Sequence, residues 1–221
     1  MLQTNDWKRP MYYAITVSPD QFVKLDPYFQ QTGMAYQIVP MQTKNTVKAV
    51  NADKMFDNVM NKFKWGGVDK PGIYLDENVM RMCKSYRMVL FGKLAATLIH
   101  EGKNDKALQV LDKCMEVLPP ENVPLDYSAL SIGEYYYTLG QKEKGHNILK
   151  AIGDDSMRNL NWYFRLNPKQ FASVADDLNT NLYVLQEIIN ITKDKDPELM
   201  NQYKEEFDNF RMALSSLQPK E

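Results

Sequence analysis

The sequence holds little that reacts. Its 221 residues include two cysteines and two histidines. Cys83 and Cys114 both fall on apolar helical stripes. They read as two buried free thiols, with a disulfide between neighbouring helices as the other possibility. A metal site is not expected, because the thiols lie far apart in sequence and only His100 and His146 could join them. No glycine-rich phosphate loop occurs: Trp65-Gly66-Gly67 lacks the lysine and the helix context that such a loop needs. No Gly-x-Ser-x-Gly elbow occurs either. No apolar run reaches the roughly 18 residues of a membrane span, and MLQTNDWKRP lacks the apolar centre of a signal peptide. Charge of one sign is also missing. Lys plus Arg is 27 and Asp plus Glu is 28, which argues against a general nucleic-acid or anionic-membrane surface. The expectation is a chain without a cofactor, either cytosolic or a soluble piece of something larger. Its 44% of hydrophobic residues suits a packed globular core.

What is present is helical periodicity, clearest from Tyr86 to Pro119. Phe91, Leu94, Ala95 and Leu98 share a stripe at three- and four-residue spacing. Gly102 ends that helix, since the residue past a helix often needs a left-handed backbone. Asn104 or Asp105 is expected to cap the next helix, in which Ala107, Leu111 and Cys114 form the matching stripe and Pro119 the stop. The stretch resembles a tetratricopeptide repeat (TPR), with Phe91, Leu94, Ala95, Leu98, Ala107, Leu111 and Pro119 in its signature slots. A second copy follows, because Gly140 lies 38 residues after Gly102 (140 − 102). It places Ala129, Ile132, Gly133, Tyr136, Gly145 and Leu149 in the same slots, with the proline slot lost at Met157. Two repeats are fewer than a stack usually needs, so other elements must close it.

Those elements flank the repeats. Met11–Val17 and Ala35–Val39 read as two strands of one small sheet. Ser18-Pro19-Asp20-Gln21 reads as a capping box opening a short helix towards Gln31, which Asp26-Pro27 can divide. Asn51 caps a helix from Ala52 to about Lys64, and Asp76 caps the long first helix of the repeat. After the repeats, Asp154–Leu166 reads as a short helix. Asn167-Pro168-Lys169-Gln170 caps a long helix to about Thr192, and Asp196-Pro197 opens a last one carrying Leu199, Tyr203, Phe207, Phe210 and Leu214. The expected fold is mainly α, TPR-like α-α helical repeats (an α/α superhelix) with a small N-terminal two-stranded β element. Its expected segments are 1–75, 76–166 and 167–217.

Chemistry-bearing residues mostly have bland explanations. Asp76-Glu77 and Asp154-Asp155 are expected at helix starts, where acids favour the dipole, and Asp176-Asp177 is a third such pair. Asp155-Ser156-Met157 matches a bacterial O-glycosylation acceptor pattern, but a helix-capping Asp-Ser explains it as well. Tyr12-Tyr13, Tyr135-Tyr136-Tyr137 and Trp162-Tyr163-Phe164 are core aromatics, some of which could stack on sugars or peptides.

Several pieces together resemble a family of large bacterial multi-spanning membrane proteins of unknown function, similar to GT-C glycosyltransferases such as protein O-mannosyltransferases. The pieces are Trp7-Lys8-Arg9-Pro10 with Tyr12-Tyr13-Ala14, then Tyr28-Phe29 to Gly33-Met34-Ala35-Tyr36 with Val39-Pro40, then Tyr74-Leu75-Asp76-Glu77-Asn78 and the repeat through Pro119. The resemblance implies that the catalytic machinery lies in a membrane part absent here. This chain is then a noncatalytic periplasmic module that holds a protein or glycan acceptor, or another subunit of the parent protein. The alternative is a free-standing cytosolic TPR-like adaptor. By the TPR resemblance, Val89, Gly92, Ala96, Ile99 and His100, then Tyr127, Leu130, Glu134, Tyr137 and Thr138, line a concave groove. The segment Trp7–Val17 is expected to cover most of it. The candidate binding residues are His100, Tyr127, Glu134 and Tyr137.

Overall fold

The computed structural model describes residues 4 and 6–217, and the chain divides into two compact units, Met1–Val123 and Pro124–Glu221. It is mainly helical, with one small antiparallel sheet near the N-terminus.

That sheet has three strands where two were expected. β1 (Tyr12–Ala14), β2 (Phe29–Gln31) and β3 (Ala35–Ile38) run antiparallel in the order β1-β3-β2. Tyr13 and Gln31 both stand opposite Tyr36, one on each side. The expected helix towards Gln31 is therefore replaced. Only single 3-10 turns form, at Pro19–Phe22 and Asp26–Tyr28, and Ser18 makes no side-chain capping bond. The reason is aromatic packing. Phe29 stacks on Tyr36 at 5.4 Å and meets Phe22 at 4.9 Å and Tyr13 at 5.1 Å, an arrangement that needs Phe29 in the strand beside β3. The sheet then leads directly into the first helix. The Asn51 amide bonds the Gln31 carbonyl at 2.9 Å, and the Asn51 side chain caps α1 (Ala52–Asp57) through the Lys54 amide.

α1 widens into a π-turn at Asn58–Lys62. The Asp76 carboxylate accepts from the amides of Asn78 and Val79 and so caps α2 (Glu77–Tyr86). α2 passes through a second π-turn, Arg87–Gly92, into α3 (Lys93–His100). α4 (Asn104–Val117) packs on α3. Phe91, Leu94, Ala95, Leu98, Ala107, Leu111 and Cys114 are all fully buried, so the two stripes face each other. Neither Asn104 nor Asp105 caps α4. Lys103 holds that position without a side-chain bond, because its amide already bonds the Leu98 carbonyl, closing the preceding helix end.

The buried Gln31 side chain donates to the carbonyls of Val89, inside the π-turn, and of Gly33, at 2.9 and 3.0 Å. Arg87, also in the turn and fully buried, donates to the carbonyls of Leu118 and Val123 at 3.3 and 2.8 Å. A widened turn disturbs the regular helical ladder, which makes such places natural sites for side-chain partners.

In the second unit, a 3-10 turn (Tyr127–Ala129) capped by Asp126 leads into α5 (Leu130–Thr138), followed by α6 (Lys142–Tyr163). The separate short helix expected at Asp154–Leu166 is the second half of α6, so Asp154-Asp155 lies inside a helix and not at its start. Asn167 and Gln170 form the expected capping box of α7 (Pro168–Ser173), but the helix breaks at Val174 before α8 (Ala175–Thr192). α9 (Pro197–Leu217) returns along α8. Two glycines set the crossings. A Cβ on Gly145 would stand 2.9 Å from the Gly133 carbonyl oxygen and 2.7 Å from the Tyr137 ring, and one on Gly153 would stand 2.4 Å from the Tyr203 ring.

Two outcomes follow from this packing. Gly145→Ala gains about 1 kcal/mol of helix propensity but meets backbone, and overpacking costs about 1–3 kcal/mol. The melting temperature should therefore fall, by roughly 2–4 °C per kcal/mol of net loss. Gln31→Leu leaves the buried Gly33 carbonyl and the part-buried Val89 carbonyl short of a donor and should cost about 1–3 kcal/mol in a urea titration.

Candidate functional site

The first unit holds a cleft of about 800 Å³. One wall is α2 with the following π-turn, giving Val79, Met82, Tyr86 and Leu90. The other is the end of α1 and the chain after it, giving Phe63, Trp65 and Val68. The walls are set by aromatic contacts. Trp65 stacks on buried Phe91 at 5.2 Å, and Phe63 meets Trp65 edge-on at 6.0 Å. The loop past Trp65 is tied down by Asn122, whose amide donates to the carbonyls of Val68 and Lys70 at 2.6 and 2.9 Å. Cys83 lies against this cleft, 4% exposed, and burial pushes its thiol up from its ordinary value. Burial pushes Cys114 up to about 12. Both thiols are free, as expected, and a thiol held protonated is a poor nucleophile. The cleft lining is mostly apolar.

The four candidate residues from the sequence do not line this cleft. His100 is exposed at the end of α3, in the first unit. Tyr127, Glu134 and Tyr137 belong to the second unit: Tyr127 is 48% exposed, Glu134 half-buried and Tyr137 only 9% exposed. Tyr137 is committed elsewhere, because its hydroxyl donates to Asp196 Oδ2 at 2.7 Å. Ser156 is 5% exposed inside α6, so its hydroxyl is not presented as an acceptor. In the first unit, Ile15 and Thr16 stand with Met82, Tyr86 and Val89 around a smaller hollow, while Trp7, Met11 and Tyr12 stay exposed. The sheet is bonded to the π-turn after α2 through Gln31 and to α1 through Lys54, which reaches Tyr12 and Gln37.

A second cluster centres on Asp196, which is 2% exposed. His146 Nδ1 lies 2.8 Å from Asp196 Oδ2. A carboxylate only accepts, so Nδ1 carries the proton. Lys142 Nζ is 3.8 Å from Oδ1, and the Leu199 amide points at the same oxygen. Burial disfavours the carboxylate, but the hydrogen bonds from His146 and Tyr137 outweigh it, and the Asp196 pKa is lowered from its ordinary 3.8. Burial, and then donation to this carboxylate, pushes Tyr137 upward. Among the described residues, no hydroxyl or thiol is bonded to His146. It acts as a latch holding the start of α9 to α5 and α6. Only the capping role of Asp196 was legible in the sequence. Its partners lie 50 and 59 residues away, with no local pattern to announce them.

The family model of TMEM260-associated domain 2 matches residues 1–57. That span holds the sheet and α1, and the match fits a domain associated with a membrane protein. No curated protein and no solved structure matches the chain. Among the described residues, no helix is long and apolar enough to cross a membrane.

The latch has a pH signature. A lowered folded-state pKa means that the Asp196 contribution is complete above 3.8 and is lost as pH falls through the folded value. Asp196→Asn should be less stable than the wild type near pH 6, by about 1–3 kcal/mol for hydrogen bonds to a charged group. The gap should narrow as urea titrations are taken below pH 4.

Proposed function

We propose that this chain is a noncatalytic protein-interaction or acceptor-binding module, the periplasmic soluble part of a membrane glycosyltransferase-like protein. The observation that carries the reading is the match of residues 1–57 to a domain associated with a membrane protein. The wider resemblance to GT-C proteins agrees with it, and it assigns sugar transfer to a membrane part that this chain does not contain. The partner is a protein or glycan acceptor, or another subunit of the parent protein.

The reading also takes α2–α4 and α5–α6 as TPR-like hairpins. In its support, Ala95 and Ala107 are buried where α3 meets α4, and Gly133 and Gly145 occupy the corresponding slots where α5 meets α6. Small residues at those slots let helix axes approach closely. Surfaces available to a partner are the cleft of the first unit and, on the second, the exposed Tyr127 with Glu134; His100 remains a candidate on the first.

An antibody against the chain provides the test. In fractionated source cells, the native polypeptide should run well above 25.7 kDa, sediment with the inner membrane and be cut by protease added to spheroplasts. A 25.7 kDa polypeptide in the cytosolic fraction would overturn the reading in favour of a free-standing adaptor.

A further inference from the structure

We propose that the cleft of the first unit binds a peptide segment that carries a bulky apolar residue, aromatic or long aliphatic, next to aspartate or glutamate. This deepens the interaction-module reading and rests on it.

The apolar half of the preference comes from the lining. Phe63, Trp65, Met82 and Leu90 offer aromatic and flexible aliphatic surface. Methionine thioethers adapt to side chains of different shape. The volume, about 800 Å³, lies within the range of roughly 300–1,000 Å³ typical of ligand pockets, which is room for anchoring side chains.

The acidic half comes from charge. Among the described residues, the charged side chains lining the cleft are Lys62 and Lys64, and no carboxylate lines it. Lys62 pairs with Asp57, but the pair is exposed, and exposed pairs exchange partners at little cost. Lys64 is exposed. An anion arriving with its apolar neighbour in the cleft meets Lys64 and can displace Asp57 from Lys62, with no carboxylate among the described lining residues. Asn78, also on the lining, can bond a peptide backbone.

A peptide is favoured over a small amphiphile by the surface around α2. Val79 on the lining is 39% exposed, and Ile73 and Tyr74, just ahead of α2, are 37% and 87% exposed. Apolar surface that continues past a pocket suits an anchor residue inside a wider contact.

The test pans a display library of short random peptides on the whole chain, on Val79→Asp and on the double variant Lys62→Glu, Lys64→Glu. These side chains are exposed, and melting curves confirm that each variant folds. Selected peptides should be enriched in Trp, Phe, Leu or Met beside Asp or Glu. Their synthetic copies should bind Val79→Asp at least about tenfold more weakly, because like charges brought together at an interface repel strongly. The double variant should select Lys- or Arg-flanked peptides instead. Peptides from the wild type without acidic bias overturn the proposal however the variants behave. So does a failure to select any peptide, or equal binding by all three proteins. Oleate or anionic vesicles binding where no peptide is selected would make the cleft a lipid site, and self-association abolished by Val79→Asp would make it a contact between copies; each overturns the proposal. The cell-fractionation result is independent, so a membrane-tethered protein with no selected peptide refutes this inference and leaves the module reading intact.

Discussion

The first unit depends on the π-turn at Arg87–Gly92 and the two buried polar side chains that serve it. A guanidinium taken out of water costs several kcal/mol unless its donors are used. Arg87 uses one terminal nitrogen on the carbonyls of Leu118 and Val123, which fastens the chain leaving α4, while its buried Nε has no hydrogen-bond partner among the described residues. Gln31 uses its amide on the Val89 carbonyl, which fastens the sheet. One irregular helical turn is thus tied to elements on either side of it in sequence. Leu90 and Phe91 in the same turn supply one wall of the cleft and the surface on which Trp65 stacks. The cleft's shape is therefore a consequence of how the turn is satisfied.

The second unit solves its packing differently. Gly133, Gly145 and Gly153 remove side chains where neighbours come closest, and polar groups then bolt the helices together. Tyr203 fits over Gly153 and donates its hydroxyl to the Lys150 carbonyl and the Asp154 carboxylate at 2.9 and 2.8 Å. Asp196 collects Tyr137 and His146. An aspartate-histidine pair resembles half of a catalytic triad, but here the carboxylate also begins α9, and the histidine faces no nucleophile among the described residues. The arrangement spends its hydrogen bonds on holding helices.

The two cysteine thiols are buried and free, and Asp76, Asp126 and Asp196 are engaged in capping or in holding helices together. An apolar cleft with lysines at its edge can hold a partner. Tyr137, in the second unit, is 9% exposed and bonded through its hydroxyl to Asp196.

Much of the helical content was legible in the sequence because periodicity and caps are local. The stripes through Phe91–Leu98, Ala107–Cys114 and Leu199–Phe210 are buried as their spacing required, and Asn51, Asp76 and Asn167 cap the helices they precede. Where local signals competed, tertiary contacts decided. Phe29–Gln31 became a strand because aromatic neighbours from β1, β3 and the Phe22 turn gather around Phe29. Asp154–Tyr163 continues α6 past Gly153, where the Tyr203 ring packs against the helix. The π-turn was illegible, since a single widened turn barely alters an apolar stripe and its partners, Gln31, Leu118 and Val123, lie 31 or more residues away. The cleft was illegible for the same reason. Its lining residues each read as ordinary core or loop positions, and only the folding of the Phe63–Val68 loop against α2 brings them to one place.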